Sequence, residues 1–218
     1  MKKMVSLSTE PTKDLKDLVN YDKQMFDVAD FIHCDVMKKP FVNRNLLDFT
    51  ILKEYSLQAK LPLDIHLMTQ DLNNEYIKYL ELKPKILTVH YEAFDSNEKL
   101  KNVLNIIRKN GVMAGLSIKP DTEIEKIKDL FEFFDLLLIM SVEIGKSGQN
   151  FLKKTFDKIK LANKIITQNK HNILIEIDGG INEQNAKQLY DIGANILVSG
   201  NFVYNAKDKI NAVKVLTK

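Results

Sequence analysis

The sequence has little cysteine and no long apolar run, and both absences limit what the chain can be. Cys34 is the one cysteine in 218 residues, which excludes a disulfide within the chain. The longest apolar stretch, residues 136–142, is too short to cross a bilayer and predicts a strand buried on both faces. The first residues lack the apolar run of a secretory signal. We therefore expect a cytoplasmic protein with no membrane partner.

The sequence also lacks an excess of charge of one sign. Its 32 basic and 29 acidic residues leave a formal net charge of +3 and are spread along the chain, without a basic tail. Nucleic acid is therefore not an expected partner. Hydrophobic residues make up 44% and charged residues 28%, values typical of a chain that folds into a globular protein.

Short apolar runs alternate with longer amphipathic segments. The predicted strands are residues 4–7, 31–36, 63–68, 86–90, 113–118, 136–142, 173–178 and 196–199. The predicted helices are residues 13–26, 44–55, 72–82, 97–110, 123–134, 151–167, 183–192 and 203–216. This alternation predicts a parallel sheet, and eight repeats predict one (β/α)8 TIM barrel, a single domain over residues 1–218. An open doubly wound sheet is the alternative, but no glycine-rich loop follows the first strand.

Four polar side chains fall at the ends of the second, third and seventh predicted strands. The carboxyl ends of barrel strands carry the chemistry, and residues two apart on a strand face the same way. His33 and Asp35 therefore point together, and His66 and Asp178 converge on the same mouth. An isolated histidine is more often a hydrogen-bonded core residue. Two buried aspartates without a cation would repel each other, so we expect one divalent ion here: Zn2+, Fe2+, Mn2+ or Co2+.

Other residues near the strand ends have supporting roles in this interpretation. Asp64 faces the same way as His66 but lies deeper, which suits a carboxylate that supports a metal ligand. His90 either lines the site or hydrogen-bonds beneath it, and we place it beneath. His171 falls in a polar turn and is expected at the surface. Three methionines near strand ends either cushion an electron-rich intermediate or fill gaps in the core. They are Met37, Met68 and Met140.

Glycine-bearing loops follow the last three predicted strands, at residues 143–149, 178–180 and 199–201. Glycine lets backbone N–H groups approach an anion, and barrels commonly seat a phosphate at the loops after strands seven and eight. One such loop alone is ordinary turn chemistry. The three loops together indicate a phosphate site.

From Ser6 to about Asn205 the chain resembles the ribulose-phosphate 3-epimerase family. The second strand is similar to the family's His-x-Asp-x-Met strand, and residues 62–68 are close to its Pro-Leu-Asp-Val-His-Leu-Met signature. Residues 88–93, 138–142, 175–182 and 193–200 match in turn. The resemblance implies a metal-dependent isomerase that interconverts D-ribulose 5-phosphate and D-xylulose 5-phosphate. The metal ligands that it implies are His33, Asp35, His66 and Asp178.

The resemblance also implies roles for single residues. Asp35 would be the base on one face of the substrate and Asp178 the acid on the other. Ser6 and His66 would contact the ketose phosphate. The groups that would bind the substrate at its phosphate end are Gly145, Lys146, Ser147, Gly148, Gly179, Gly180, Gly200 and Asn201. We also expect a homo-oligomer.

The loops depart from the family pattern, and this leaves other functions open. Lys38-Lys39 replaces Asp-Gly, and the loop at residues 143–149 has lost a proline, an aromatic residue and one glycine. One alternative is an epimerase of a related ketose phosphate such as allulose 6-phosphate. Another is a non-catalytic sugar-phosphate-binding barrel. A decarboxylase or hexulose-phosphate synthase of the orotidine-phosphate type is disfavoured, because Asp35-Val36-Met37-Lys38 lacks the Asp-x-Lys-x-x-Asp spacing.

Overall fold

The computed structural model describes residues 2–70, 75–146 and 148–218. Within these ranges eight parallel strands pair in sequence order, and the eighth pairs with the first to close a barrel. The strands are β1 (Met4–Ser8), β2 (Phe31–Met37), β3 (Leu63–Met68), β4 (Ile86–His90), β5 (Met113–Ile118), β6 (Leu136–Met140), β7 (Leu174–Asp178) and β8 (Ile196–Ser199). The predicted TIM barrel is confirmed, and closure excludes the open sheet.

Helices connect the strands, and none in the described part of the chain is long and apolar enough to span a membrane. The α-helices are α1 (Leu15–Met25), α2 (Phe49–Ser56), α3 (Tyr76–Leu80), α4 (Asn97–Lys109), α5 (Thr155–Gln168), α6 (Ala186–Asp191), α7 (Asn201–Tyr204) and α8 (Lys209–Leu216). Two segments, Tyr91–Ala93 and Ile124–Leu130, are 3-10 helices. The start of the helix predicted at residues 72–82 lies outside the described residues.

Three helix predictions differ from the structure for identifiable reasons. Residues 123–134 hold a 3-10 helix because the buried Ile124, Ile127 and Leu130 repeat every three residues, the period of that helix. The helix predicted at residues 203–216 is two helices, since Asp208 caps a new start by accepting from the Asn211 N–H. The helix predicted from residue 44 begins after Asp48, whose carboxylate caps it.

The barrel interior is apolar on one side and polar on the other. Side chains of β6 alternate, so Leu137 and Ile139 pack outward against helices while Leu136 and Leu138 fill the interior. The positions of β1 to β4 and β7 that face the barrel interior instead carry buried polar groups. They are Ser6, Ser8, His33, Asp35, Asp64, His66, Thr88, His90 and Glu176. Strand register sets Asp35 beside His66 and His33 beside Asp64, which fixes the depth of each polar residue.

Candidate active site

A cavity of about 270 Å3 opens at the carboxyl ends of the strands. Asp35 and Asp178 both line it. Met37, Met68 and Met140 line it beside them, and all three also pack in buried apolar clusters. The two carboxylates therefore face one shared space, which is the arrangement that chemistry on opposite faces of a substrate requires.

His33, Asp35, His66 and Asp178, here called the His/Asp cluster, offer one ligand atom each, and these atoms all lie within 4.8 Å of one another. Asp35 Oδ1 lies 3.3 Å from both His33 Nε2 and His66 Nδ1. Asp178 Oδ2 lies 3.8 Å from the same two nitrogens. The structure thus brings together the four residues that the sequence singled out for metal binding.

The His/Asp cluster fits a divalent metal ion. Asp35 Oδ1 is buried and makes no hydrogen bond to any described residue, although it points at the centre of the cluster. A buried carboxylate oxygen without a donor is costly, and a cation would satisfy it. Two imidazole nitrogens with two carboxylate oxygens are ligands that Zn2+ and its neighbours in the first transition row accept.

The two cluster carboxyl groups ionise differently. Burial opposes ionisation of Asp35, but the adjacent His33 and His66 outweigh it and hold the pKa of that carboxyl below its usual range. Burial, followed by the nearby Asp35 charge, raises the pKa of Asp178 to about 7. At neutral pH one carboxyl group is therefore ionised while the other holds a proton part of the time.

His33 is held from below by carboxyl groups. Its Nδ1 lies 2.6 Å from Asp64 Oδ2, which also accepts a hydrogen bond of 2.8 Å from Ser6 Oγ. Burial alone would lower the pKa of His33, but Asp64 and Asp35 raise it. Glu176 lies beside Asp64, and burial, then the Asp64 charge, raise its pKa. Asp64 therefore lies where a carboxylate that supports a metal ligand was expected, and Glu176 lies beside it.

His66 is held by a different group. Its Nε2 lies 2.9 Å from His90 Nε2, and His90 Nδ1 lies 3.1 Å from Glu92 Oε2. Burial lowers the pKa of His66 to about 4. His90 is completely buried and does not line the cavity, and its ring contacts those of His66 and Phe41. His171 is half-buried against Phe131 and does not line the cavity.

The structure corrects the position of the serine assigned to substrate binding. Ser6 is completely buried, donates to Asp64 and does not line the cavity. Ser8 does line it, and its hydroxyl donates to Asp35 Oδ2 over 3.0 Å. Both serines face inward because they are two apart on β1. Ser8 is one layer nearer the mouth than Ser6, the serine that the family resemblance had implied.

The glycine loops comprise residues 143–149, 178–180 and 199–201, and most of their described residues line the cavity. Gly180 has φ +66°, and a Cβ there would lie 2.6 Å from the Phe151 backbone nitrogen. The loop that carries Gly180 can therefore pack so closely against the Phe151 backbone only with glycine at position 180. The expected substrate-binding residues that line the cavity are Gly145, Lys146, Gly148, Gly179, Gly180, Gly200 and Asn201. Ser147 lies outside the described residues.

The positions that depart from the family pattern lie at the mouth. Gln149 closes the loop after β6 by donating 2.6 Å hydrogen bonds to the carbonyls of Glu143 and Lys146. Glu143 and Lys146 are both exposed, so water screens their charges. Lys38 forms an ion pair with Glu75. These changes surround the cavity without touching the His/Asp cluster.

Comparison with known sequences places the chain in a family. The sequence model of the ribulose-phosphate 3 epimerase family matches residues 5–204. The chain belongs to the ribulose-phosphate 3-epimerase family. The Helicobacter pylori ribulose-phosphate 3-epimerase is 33% identical over 203 residues, 92% of each chain. The Bacillus subtilis enzyme of the same name is 34% identical over 186 residues, covering 85% of this chain and 84% of that one. The chain is therefore an epimerase, an enzyme of the isomerase class.

Solved structures similar to this epimerase share its fold. A 3-keto-L-gulonate-6-phosphate decarboxylase from Vibrio cholerae superposes with a TM-score of 0.73 at 13% identity, covering 99% of this chain and 96% of that one. A 3-hexulose-6-phosphate synthase superposes with a TM-score of 0.68 at 12% identity, covering 100% and 98%. At such low identity the likeness concerns the barrel alone.

Three residues at the site of this epimerase were missed from the sequence. Glu176 is two residues before Asp178 and faces the same way, so the rule that found the cluster could have found it. Ser8 is two residues after Ser6 and faces the same way, so the same rule could have found it. Glu92 follows the end of β4, where facing direction is no longer set by the strand, and no comparable signal marks it.

Proposed function

We propose that the protein interconverts D-ribulose 5-phosphate and D-xylulose 5-phosphate with one divalent metal ion held by the His/Asp cluster. The observation that carries this proposal is that Asp35 and Asp178, the two carboxyl groups that epimerisation needs, meet in one cluster and line one cavity. The names of the relatives support a ribulose phosphate as the substrate and epimerisation at C3. The closed barrel from β1 to β8 supports a single domain over residues 1–218.

The two carboxyl groups divide the proton transfers between them. Epimerisation beside a ketone removes a weakly acidic proton from one face of a carbon and returns a proton to the other. Asp35, with its low pKa, is ionised and accepts the C3 proton. Asp178, which lines the same cavity, donates a proton to the opposite face. The roles exchange in the reverse direction.

Asp35 is a weak base, so the negative charge that develops on the substrate must be stabilised. A divalent cation held by His33, Asp35, His66 and Asp178 would act there as a Lewis acid. Zn2+, Fe2+, Mn2+ and Co2+ all suit this ligand set. Ser8 contributes by holding Asp35 Oδ2, which leaves Oδ1 directed at the centre of the cluster.

The glycine loops bind the phosphate in this proposal. Their glycines leave backbone N–H groups accessible, and Lys146 and Asn201 add a cation and an amide at the same wall. Binding a remote group in this way orients the reacting carbon between the two carboxyl groups. Lys38 and the changed residues 143–147 bear on which ketose phosphate fits, and allulose 6-phosphate is the comparison substrate.

The test is an assay of D-ribulose 5-phosphate in D2O with protein reconstituted separately with each of the four metals. We expect deuterium at C3 with at least one metal and none after chelation. Protein that binds metal and substrate but incorporates no deuterium would contradict the proposal. Faster deuterium incorporation into allulose 6-phosphate would identify that sugar phosphate as the substrate, and the proposed proton transfers would remain the same.

A further inference from the structure

The two histidines of the His/Asp cluster direct different ring nitrogens toward its centre. His33 presents Nε2, and its Nδ1 is held by the Asp64 carboxylate. His66 presents Nδ1, and its Nε2 faces His90 Nε2 at 2.9 Å. His66 therefore has no carboxylate behind it among the described residues and is held by a second imidazole ring.

The direction of the hydrogen bond between the two rings follows from metal binding. Two ring nitrogens bond only when one carries a hydrogen and the other a lone pair. If His66 Nδ1 gives its lone pair to a cation, the hydrogen of the neutral ring lies on Nε2 and is donated to His90. His90 then carries its own hydrogen on Nδ1, which lies 3.1 Å from the Glu92 carboxylate. One arrangement of hydrogens satisfies every contact.

We propose that Glu92 and His90 form a positioning relay that holds His66 in the one tautomer able to bind the cation. The inference rests on the proposed function, since it assumes a metal ion in the His/Asp cluster. The ring planes of His66 and His90 lie 25° from parallel, with centroids 4.9 Å apart. The two rings can therefore meet at their Nε2 edges and share a hydrogen bond. A carboxylate thus acts on a metal ligand through an intervening ring.

Glu92 is anchored by the loop after β5. Its Oε1 accepts from the Lys119 N–H over 2.8 Å and from the Thr122 hydroxyl, so its other oxygen is left for His90. The buried Lys158 ammonium holds that loop by donating to the carbonyls of Pro120 at 2.7 Å and Thr122 at 2.6 Å. The relay therefore continues from the cluster through His90 into a fixed loop on the far side of β4.

The first test compares Zn2+ affinity in Glu92→Gln and wild type, with Glu98→Gln as the matched control. Glu98 is an exposed residue in the first turn of α4. Glu92→Gln places an amide N–H2 against either His90 or the loop donors, so we expect Zn2+ binding to weaken about 10- to 100-fold. Glu98→Gln is expected to bind as wild type does. Unchanged affinity in a folded Glu92→Gln protein would overturn the relay.

A second pair of variants separates positioning from packing at His90. Glutamine offers a carbonyl oxygen near the place of Nε2 and can still accept from His66, whereas leucine fills similar space and accepts nothing. We expect His90→Gln to bind Zn2+ more tightly than His90→Leu at similar melting temperatures. Equal affinity in the two variants would contradict the relay, and this comparison holds even if Glu92→Gln fails to fold.

The third readout is the tautomer itself. The chain has 4 histidines, so side-chain 15N NMR spectra of the Zn2+-loaded protein are simple to assign. We expect His66 bound to the metal through Nδ1 and His90 protonated on Nδ1. His90 protonated on Nε2 would refute the relay while leaving the metal site intact. Wild-type protein that binds no Zn2+ or other proposed metal would instead remove the proposed function, and the relay with it.

Discussion

The His/Asp cluster and the glycine loops meet at one cavity but are built differently. The cluster stands on three strands of a closed sheet, the neighbouring β2 and β3 and the more distant β7, and its members are held by strand register and by buried partners such as Asp64 and His90. The glycine loops are exposed at several positions and shaped by backbone conformation, as at Gly180. In the proposed function, the residues that require close geometry therefore sit on the barrel strands, while the residues that set substrate fit sit on the loops.

The largest expected effect falls on the cluster carboxyl groups. Asp35→Asn and Asp178→Asn each remove a proton-transfer group, so we expect deuterium exchange at C3 to fall by about 10²- to 10⁴-fold. Exchange is measured by NMR in D2O, with circular dichroism to check the fold. The exposed Asp95→Asn serves as the matched control and should keep full exchange. Near-normal exchange in either cluster variant would break the assignment of that carboxyl group.

A smaller effect is expected one layer below the cluster. Asp64→Asn takes from His33 Nδ1 the charged partner that lies at 2.6 Å. We expect metal affinity to fall about 10- to 100-fold, measured by titration against a chelator. Activity should return in part at saturating metal because the proton-transfer groups remain. Asp121→Asn, on an exposed side chain, is the control, and equal metal affinity in both variants would show that Asp64 does not support the site.

The glycine loops should respond in a different measurement. Gly180→Ala adds a Cβ 2.6 Å from the Phe151 nitrogen at φ +66°, so the loop must shift. We expect KM for the ketose phosphate to rise about 5- to 30-fold with metal affinity unchanged, the cost of one or two hydrogen bonds. Gly111→Ala is the matched control, since Gly111 has φ +74° and open space around it. A fall in metal affinity in Gly180→Ala would contradict the proposal that the cluster binds the metal and the loops bind the substrate independently.

The smallest effect is expected at Lys146, an exposed residue of the cavity wall. Lys146→Ala removes a screened charge, so KM should rise about 2- to 5-fold and the difference should shrink at high salt. Lys153→Ala removes an exposed lysine outside the cavity lining and should leave KM unchanged. A rise in KM that persists at high salt would indicate a buried phosphate contact instead.

The same contrast explains what could be predicted from the sequence. Facing direction on a strand repeats every two residues, so His33 with Asp35, and their meeting with His66 and Asp178, followed from spacing once a barrel was predicted. Depth along the barrel depends on the stagger between strands, which spacing does not contain. Ser6 was assigned from the family resemblance, and the structure instead places Ser8, two residues further along β1, at the cavity.

The type of one helix and the partners of Glu92 were the hardest features to predict. The 3-10 helix Ile124–Leu130 carries apolar residues at a spacing that an α-helix also tolerates, so only the structure separated the two. Glu92 reaches His90 because the loop after β5 folds against it, a contact between segments 27 residues apart. Such long-range partners leave no periodic trace in a single sequence.

A crystal structure of the protein soaked with Zn2+, with anomalous data at the zinc edge, tests the central claim most directly. The account predicts one strong anomalous peak in contact with His33 Nε2, Asp35, His66 Nδ1 and Asp178. A peak elsewhere, or side chains of Asp35 and Asp178 turned toward separate spaces while zinc is bound, would contradict it.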